Sequence, residues 1–229
     1  VTLMMRNVQA EAVRRRAEAA ELARAQAELR ALRAQINPHF LFNALNTIRY
    51  FVRTDPRAAR RLLLDLSTVF QRVLRSGEFV SLQDELEHVQ AYLALERARL
   101  GERLRVEWDV RAETWLDQPV PTLILQPIVE NAVIHGVGRQ AEGGTVHVTV
   151  AATDGGLLLR VRDDGPGIPA ERLAEVLGPE GEKRNVASIG LRNVDGRLRA
   201  LYGDAHRLRI ESQPGQGTQV EIMIPRCAA

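Results

Sequence analysis

The sequence predicts a multidomain chain: an all-α helical hairpin that pairs with a second copy into a dimeric four-helix bundle, followed by an α+β sandwich. Three observations point there. Residues 9–33 contain neither glycine nor proline, and the segments after them up to residue 100 carry apolar residues at helical spacing. Beyond Gly101 the pattern changes to short alternating runs separated by helical segments. The two helices before residue 74 show more apolar surface than one hairpin can cover, and pairing two hairpins covers it. The expected divisions are 1–33, a signalling or coiled-coil helix; 34–100, the dimerising helical region; and 101–229, the sandwich.

Each element has its own signal. Residues 9–33 are almost all Ala, Glu, Arg, Leu and Gln, which favours a long helix. Leu22, Leu29 and Ile36 lie seven apart with Ala25 and Leu32 between them, a register that suits a short coiled coil or a single amphipathic helix. Asn37-Pro38 marks a kink or a fresh helix start. From Pro38 the spacing assigns Leu41, Ala44, Leu45, Ile48 and Val52 to a buried face, and His39, Asn43, Asn46 and Tyr50 to the opposite one. Thr54-Asp55-Pro56 is a turn. Ala59, Leu62, Leu63, Leu66, Val69, Phe70 and Val73 form the apolar face of the next helix. A third helix runs from an N-cap at Ser81 to Arg99, with Leu82, Leu86, Val89 and Leu93 inward and Gly101 as its stop.

In the sandwich, strands are expected at Leu104–Val110, Val146–Val150, Leu157–Val161 and Val220–Ile224, in one mixed sheet with helices on one face. In the third of these, Leu157, Leu159, Val161 and Asp163 share one face while Arg160, Arg162 and Asp164 share the other. Asp163 therefore ends the buried face. Without a partner it would be a costly buried charge.

Composition narrows the function classes. The formal net charge is +2 and the basic residues are scattered, which argues against nucleic acid as a partner. One cysteine, Cys227, offers neither a disulfide framework nor a thiolate metal cluster. No run approaches the roughly 18 apolar residues of a membrane span. A start at Val1 in what reads as mid-helix suggests the cytoplasmic part of a longer, membrane-anchored protein.

The run NPHFLFNALNTI resembles the phosphoacceptor motif of LytS-type sensor histidine kinases, and His39 matches the phosphorylated histidine. Phe40 follows it, where commoner histidine kinases have an acidic residue. Four further stretches resemble the ATP-binding fold shared by histidine kinases, gyrase, heat-shock chaperones and MutL-type proteins: LILQPIVENAVIHG, VRDDGPGIP, the segment from Gly178 to SIGLRN, and GQGTQVEIMIP. The resemblance implies a protein-histidine kinase that uses ATP and Mg²⁺. His39, with Asn43 and Glu130, would carry the chemistry. Asn131 would hold Mg²⁺ and His135 would approach the phosphates. Asp163 would accept the adenine amine, with Gly165 and Gly167 beside it. Lys183, Gly190, Leu191, Gly217 and Thr218 would complete the nucleotide site, and residues 178–193 would form a lid. In that lid Ser188 stands where the family usually has glycine, and Ser188 can cap the following helix. Implied partners are a second copy of the chain, a response-regulator receiver domain and an upstream sensor. The competing classes are an ATP-hydrolysing conformational machine and a non-catalytic nucleotide-sensing dimer of the same fold.

Overall fold

The computed structural model describes residues 38–74, 77–177 and 186–226. The helix expected over residues 9–33, together with Lys183 and Cys227, lies outside them. Internal contacts divide the chain between Leu45 and Asn46, within the first described helix.

That helix, α1 (Pro38–Thr54), is joined to α2 (Pro56–Leu74) by Asp55 alone, giving a helical hairpin. Asp55 caps α2: its Oδ1 accepts the N–H groups of Arg57 and Ala58, both at 3.1 Å, and Pro56 takes the first helical position. The apolar stripe of α1 is rotated from the expected one. Phe40, Ala44 and Ile48 are buried, while Leu45 and Val52 are exposed. Phe40, Leu41 and Phe42 are consecutive, so spacing alone fits two neighbouring stripes equally well and cannot choose between them. His39 and Tyr50 are exposed as expected, and Asn43 and Asn46 are half-buried. On α2, Ala59, Leu62, Leu66 and Val69 are buried but Leu63 is exposed.

Phe79–Ser81 forms β1, which pairs antiparallel with β3 (Pro119–Pro121), a small ribbon that the sequence reading did not include. Between them, α3 (Leu82–Leu100) starts where Ser81 Oγ accepts the Asp84 N–H at 3.1 Å and ends at Gly101. Leu82, Leu86, Val89 and Leu93 are buried, as spacing required, and α2 packs along α3.

The main sheet contains β2 (Leu104–Arg111), β4 (Gly144–Thr153), β5 (Gly156–Asp163), β6 (Arg209–Gln213) and β7 (Gly217–Ile224), in the order β2-β4-β5-β7-β6. β2 and β4 are parallel and the other pairs antiparallel, so the sheet is mixed. Its inner face is Val146, Val148, Val150, Leu157, Leu159, Val161, Val220, Ile222 and Ile224, all buried. The helices α4 (Gln126–Asn131), α5 (Ala170–Leu177) and α6 (Val186–Tyr202) complete the order of elements. The edge strand β6 escaped the sequence reading because it has no apolar face: Arg209, Glu211 and Gln213 are exposed, and only Ile210 is aliphatic.

Candidate functional site

The central strand β5 ends at Asp163, set between Val146 of β4 and Thr218 of β7. Alternation along β5 turns its side chain inward, where it is 4% exposed. Its Oδ1 accepts the Gly165 N–H at 2.9 Å. Burial pushes this carboxyl up to about 6, against the backbone N–H bonds of Gly165 and Thr218 that hold it down and with a smaller upward contribution from Asp164. The neighbouring aspartate does different work. Asp164 Oδ1 accepts the Thr145 N–H at 2.7 Å and so pins the end of β5 to the start of β4.

Glycines let the backbone close around Asp163. A Cβ at Gly136 would lie 2.5 Å from the Asp163 carboxyl carbon, and one at Gly165 would lie 2.4 Å from the Gly136 Cα. At Gly217 the backbone adopts φ +82°, and a Cβ there would meet the Asp163 carbonyl oxygen at 1.9 Å. A carboxylate kept unneutralised at such cost, with one oxygen bound to backbone, is disposed to accept a donor from a ligand.

From β3 the chain enters α4, which continues through a π-helical turn at Ala132–Gly136. Such one-turn widenings concentrate at functional sites. Here Asn131 and His135 still line one cavity, together with Ile128, Ala132, Gly136, Val161, Asp163, Gly167, Ile168, Leu191, Thr218 and Val220. The cavity is mostly apolar, with Asp163 on its wall, which suits a flat heteroaromatic ring whose edge donates one hydrogen bond. Asn131 Nδ2 donates to the Pro127 carbonyl at 2.8 Å, which leaves the amide oxygen as its coordinating atom. His135 is half-buried, and Arg139 Nη2 lies 3.2 Å from its Nδ1. Burial and then the Arg139 charge lower its pKa, so the ring is neutral at pH 7 and Nδ1 accepts from Arg139.

Two family models match this chain. One describes histidine kinases and matches residues 27–104; the other describes the histidine kinase-, DNA gyrase B-, and HSP90-like ATPases and matches residues 117–228. Sensor histidine kinase BtsS of Escherichia coli strain K12 is 38% identical over 201 residues, 87% of this chain. Sensor protein LytS of Bacillus subtilis strain 168 is 37% identical over 202 residues, again 87% of the chain. The chain belongs to the LytS-type sensor histidine kinases. It spans about a third (34%) of the length of these relatives. Among solved structures, the histidine kinase domain of the Erythrobacter litoralis EL346 blue-light activated histidine kinase is similar at 21% identity and a TM-score of 0.43, covering 86% of this chain and 93% of that one.

The kinase motifs read from the sequence divide three ways. Asn131, His135, Asp163, Gly167, Leu191 and Thr218 share the cavity, with Gly165 and Gly217 packed against Asp163. His39 and Asn43 form a pair of their own on α1, the Asn43 amide nitrogen lying 3.3 Å from both ring nitrogens, so that it can donate to whichever carries the lone pair. Glu130 is not in the cavity lining; its Oε1 accepts from Gln126 Nε2 at 2.7 Å.

Ser188 and Gly190 both lie within α6, and Gly190 faces α4, where a Cβ would stand 3.5 Å from Pro127 and 3.7 Å from Asn131 Nδ2. Sequence reasoning also missed Gly136 and the roles of Asp164 and Thr145. The His135-Gly136 pair inside the quoted motif was the available signal for the first.

Proposed function

We propose that this chain is the kinase core of a two-component sensor. ATP bound against Asp163 donates its γ-phosphoryl group to a ring nitrogen of His39, and the phosphohistidine passes it to an aspartate on a response-regulator receiver. The buried, glycine-packed Asp163 carboxylate is the observation that carries the nucleotide half of this reading. It accepts the exocyclic amine of adenine, while Ile128, Val161, Ile168 and Val220 supply apolar contact to the ring. His135, kept neutral, approaches phosphate as a hydrogen-bond partner. His39 supplies the nucleophile from an exposed position on α1, with Asn43 orienting the ring. Glu130 takes the proton the imidazole loses.

Mg²⁺ would neutralise phosphate charge when bound, with Asn131 as its protein ligand. The residues fit that group: an amide oxygen is a hard ligand, and among the described residues no cluster of three His, Cys, Asp or Glu side chains competes to hold a metal by itself. Water and phosphate oxygens would supply most of its other ligands. Transfer of this kind depends on positioning and charge neutralisation.

The chain acts as a homodimer through the hairpin, where Phe42, Leu45, Val52, Leu63 and Leu64 are exposed apolar side chains. Residues 34–100 carry the acceptor and 101–229 the nucleotide site. Among the described residues no helix is long and apolar enough to cross a membrane; an upstream sensor segment supplies the signal and the membrane anchor.

Incubation with γ-labelled ATP tests the reading. Acid-labile, alkali-stable label is expected on the wild-type chain and absent from His39→Gln and Asn131→Ala. Label retained in full by His39→Gln, with ATP still consumed, favours an ATP-driven conformational machine instead. Absence of ATP binding favours a non-catalytic dimer.

A further inference from the structure

Glu130 is held from outside the nucleotide cavity, by α3. Gln126 Nε2 donates to Glu130 Oε1 at 2.7 Å, and His88, which is fully buried, brings its Nε2 to 2.5 Å from Gln126 Oε1. A primary amide has one donating end and one accepting end, so Gln126 bridges the two side chains: His88 Nε2–H donates to Gln126 Oε1 and Gln126 Nε2 donates to Glu130 Oε1.

Other groups on α3 complete the surroundings. Tyr92 and Glu96 both interact electrostatically with Glu130 or with each other, and Arg99 is paired with Glu96. Burial raises the Glu130 pKa, the Gln126 bond lowers it and Glu96 raises it. The same helix also sets the approach to α4. Glu85, fully buried, accepts the N–H of Leu123 through Oε2 and that of Leu125 through Oε1, both at 2.9 Å. Leu123 has φ +57°, the one left-handed non-glycine residue among those described, a strained conformation that persists where surrounding bonds over-determine it.

We propose that His88 and Gln126 are positioning residues for phosphoryl transfer, holding the Glu130 carboxylate in place through the two hydrogen bonds that link it to α3. This rests on Glu130 being the proton acceptor proposed above. The step balances without a further reactant. A ring nitrogen of His39 forms the N–P bond as the bond from the γ-phosphorus to the ADP oxygen breaks, and the ring N–H proton passes to Glu130.

The test is the initial rate of acid-labile labelling of the 229-residue chain at about pH 7.5, with ATP affinity measured separately. Gln126→Met removes the donor. Its ATP affinity should stay within about twofold of wild type while its rate falls about tenfold. His88→Phe should be slowed likewise with ATP affinity kept, and His88→Gln, which restores a donor, should recover most of the rate. Gln126 is only half-buried, so Gln126→Met keeps the test open if His88→Phe does not fold. A folded Gln126→Met with wild-type rate overturns the proposal. Full activity in Glu130→Gln overturns the proton-acceptor reading and the relay with it. A slow Glu130→Gln beside a silent Gln126→Met overturns the relay alone.

Discussion

Asp163 should cost the protein stability that its removal returns, and the amount should depend on pH. Its carboxyl is raised from 3.8 to about 6 in the fold, a difference of about two units or roughly 3 kcal/mol. A raised carboxyl contributes stability that is fully present below the unfolded value and lost as pH rises through the folded one. At about pH 8 the folded chain therefore carries the whole penalty of roughly 3 kcal/mol, and at about pH 4.5 only about 1 kcal/mol of it.

Asp163→Asn keeps the shape and one acceptor for the Gly165 N–H but has no charge to desolvate. It loses the second acceptor oxygen, which costs about 1 kcal/mol at every pH. The variant should be more stable than wild type by about 2 kcal/mol near pH 8, and the two should be nearly equal near pH 4.5. Urea denaturation of both proteins across that range measures the difference. Nucleotide affinity, followed by titration calorimetry at about pH 7.5, should fall on the order of a hundredfold, since the adenine amine loses an ionised acceptor. A stability difference that stays flat across the range would refute the assignment of a desolvated carboxylate, whatever happens to binding.

Other substitutions test the packing around the site. Gly165→Ala must displace either the Gly136 backbone or the Asp163 carboxyl; a loss of roughly 2–4 kcal/mol in thermal or urea unfolding is expected, with ATP binding lost as well. Asp164→Ala removes the acceptor of the Thr145 N–H and should cost about 1–3 kcal/mol in the same unfolding assay while leaving ATP affinity within about threefold, which separates the two adjacent aspartates by measurement. Glu85→Leu strands two backbone N–H groups on the strained turn before α4 and should lower stability by roughly 2–5 kcal/mol, with faster hydrogen exchange at Leu123 and Leu125 than elsewhere in the sheet.

What the sequence made legible was set by period and by local chemistry. Alternation along β5 has a period of two, so a single apolar run fixed which aspartate faces inward, and the structure places Asp163 and Asp164 on the predicted sides. The Ser81 cap and the Gly101 stop of α3 depend only on neighbours in the chain and were equally readable. The stripe of α1 was not, because three consecutive apolar residues leave a helical period under-determined and the choice falls to contacts made elsewhere.

The setting of Glu130 marks where local reading ends. Spacing puts Glu130 beside Asn131, and a residue next to a ligand-binding group invites a catalytic role on adjacency alone. On a helix, however, adjacent residues point about 100° apart, so neighbours in sequence serve different environments. Asn131 faces the cavity while Glu130 is bonded through Gln126 to His88, 38 residues earlier than Gln126. Such a contact has no periodic signature, because it joins two helices whose separation the fold alone decides. The consequence is mechanical: α3, which packs against α2, also holds the carboxylate and the strained turn that precede Asn131. A displacement of α3 along its axis strains the bonds of Glu85 and His88, neither of which lines the cavity, so it should change the rate of labelling with little change in ATP affinity.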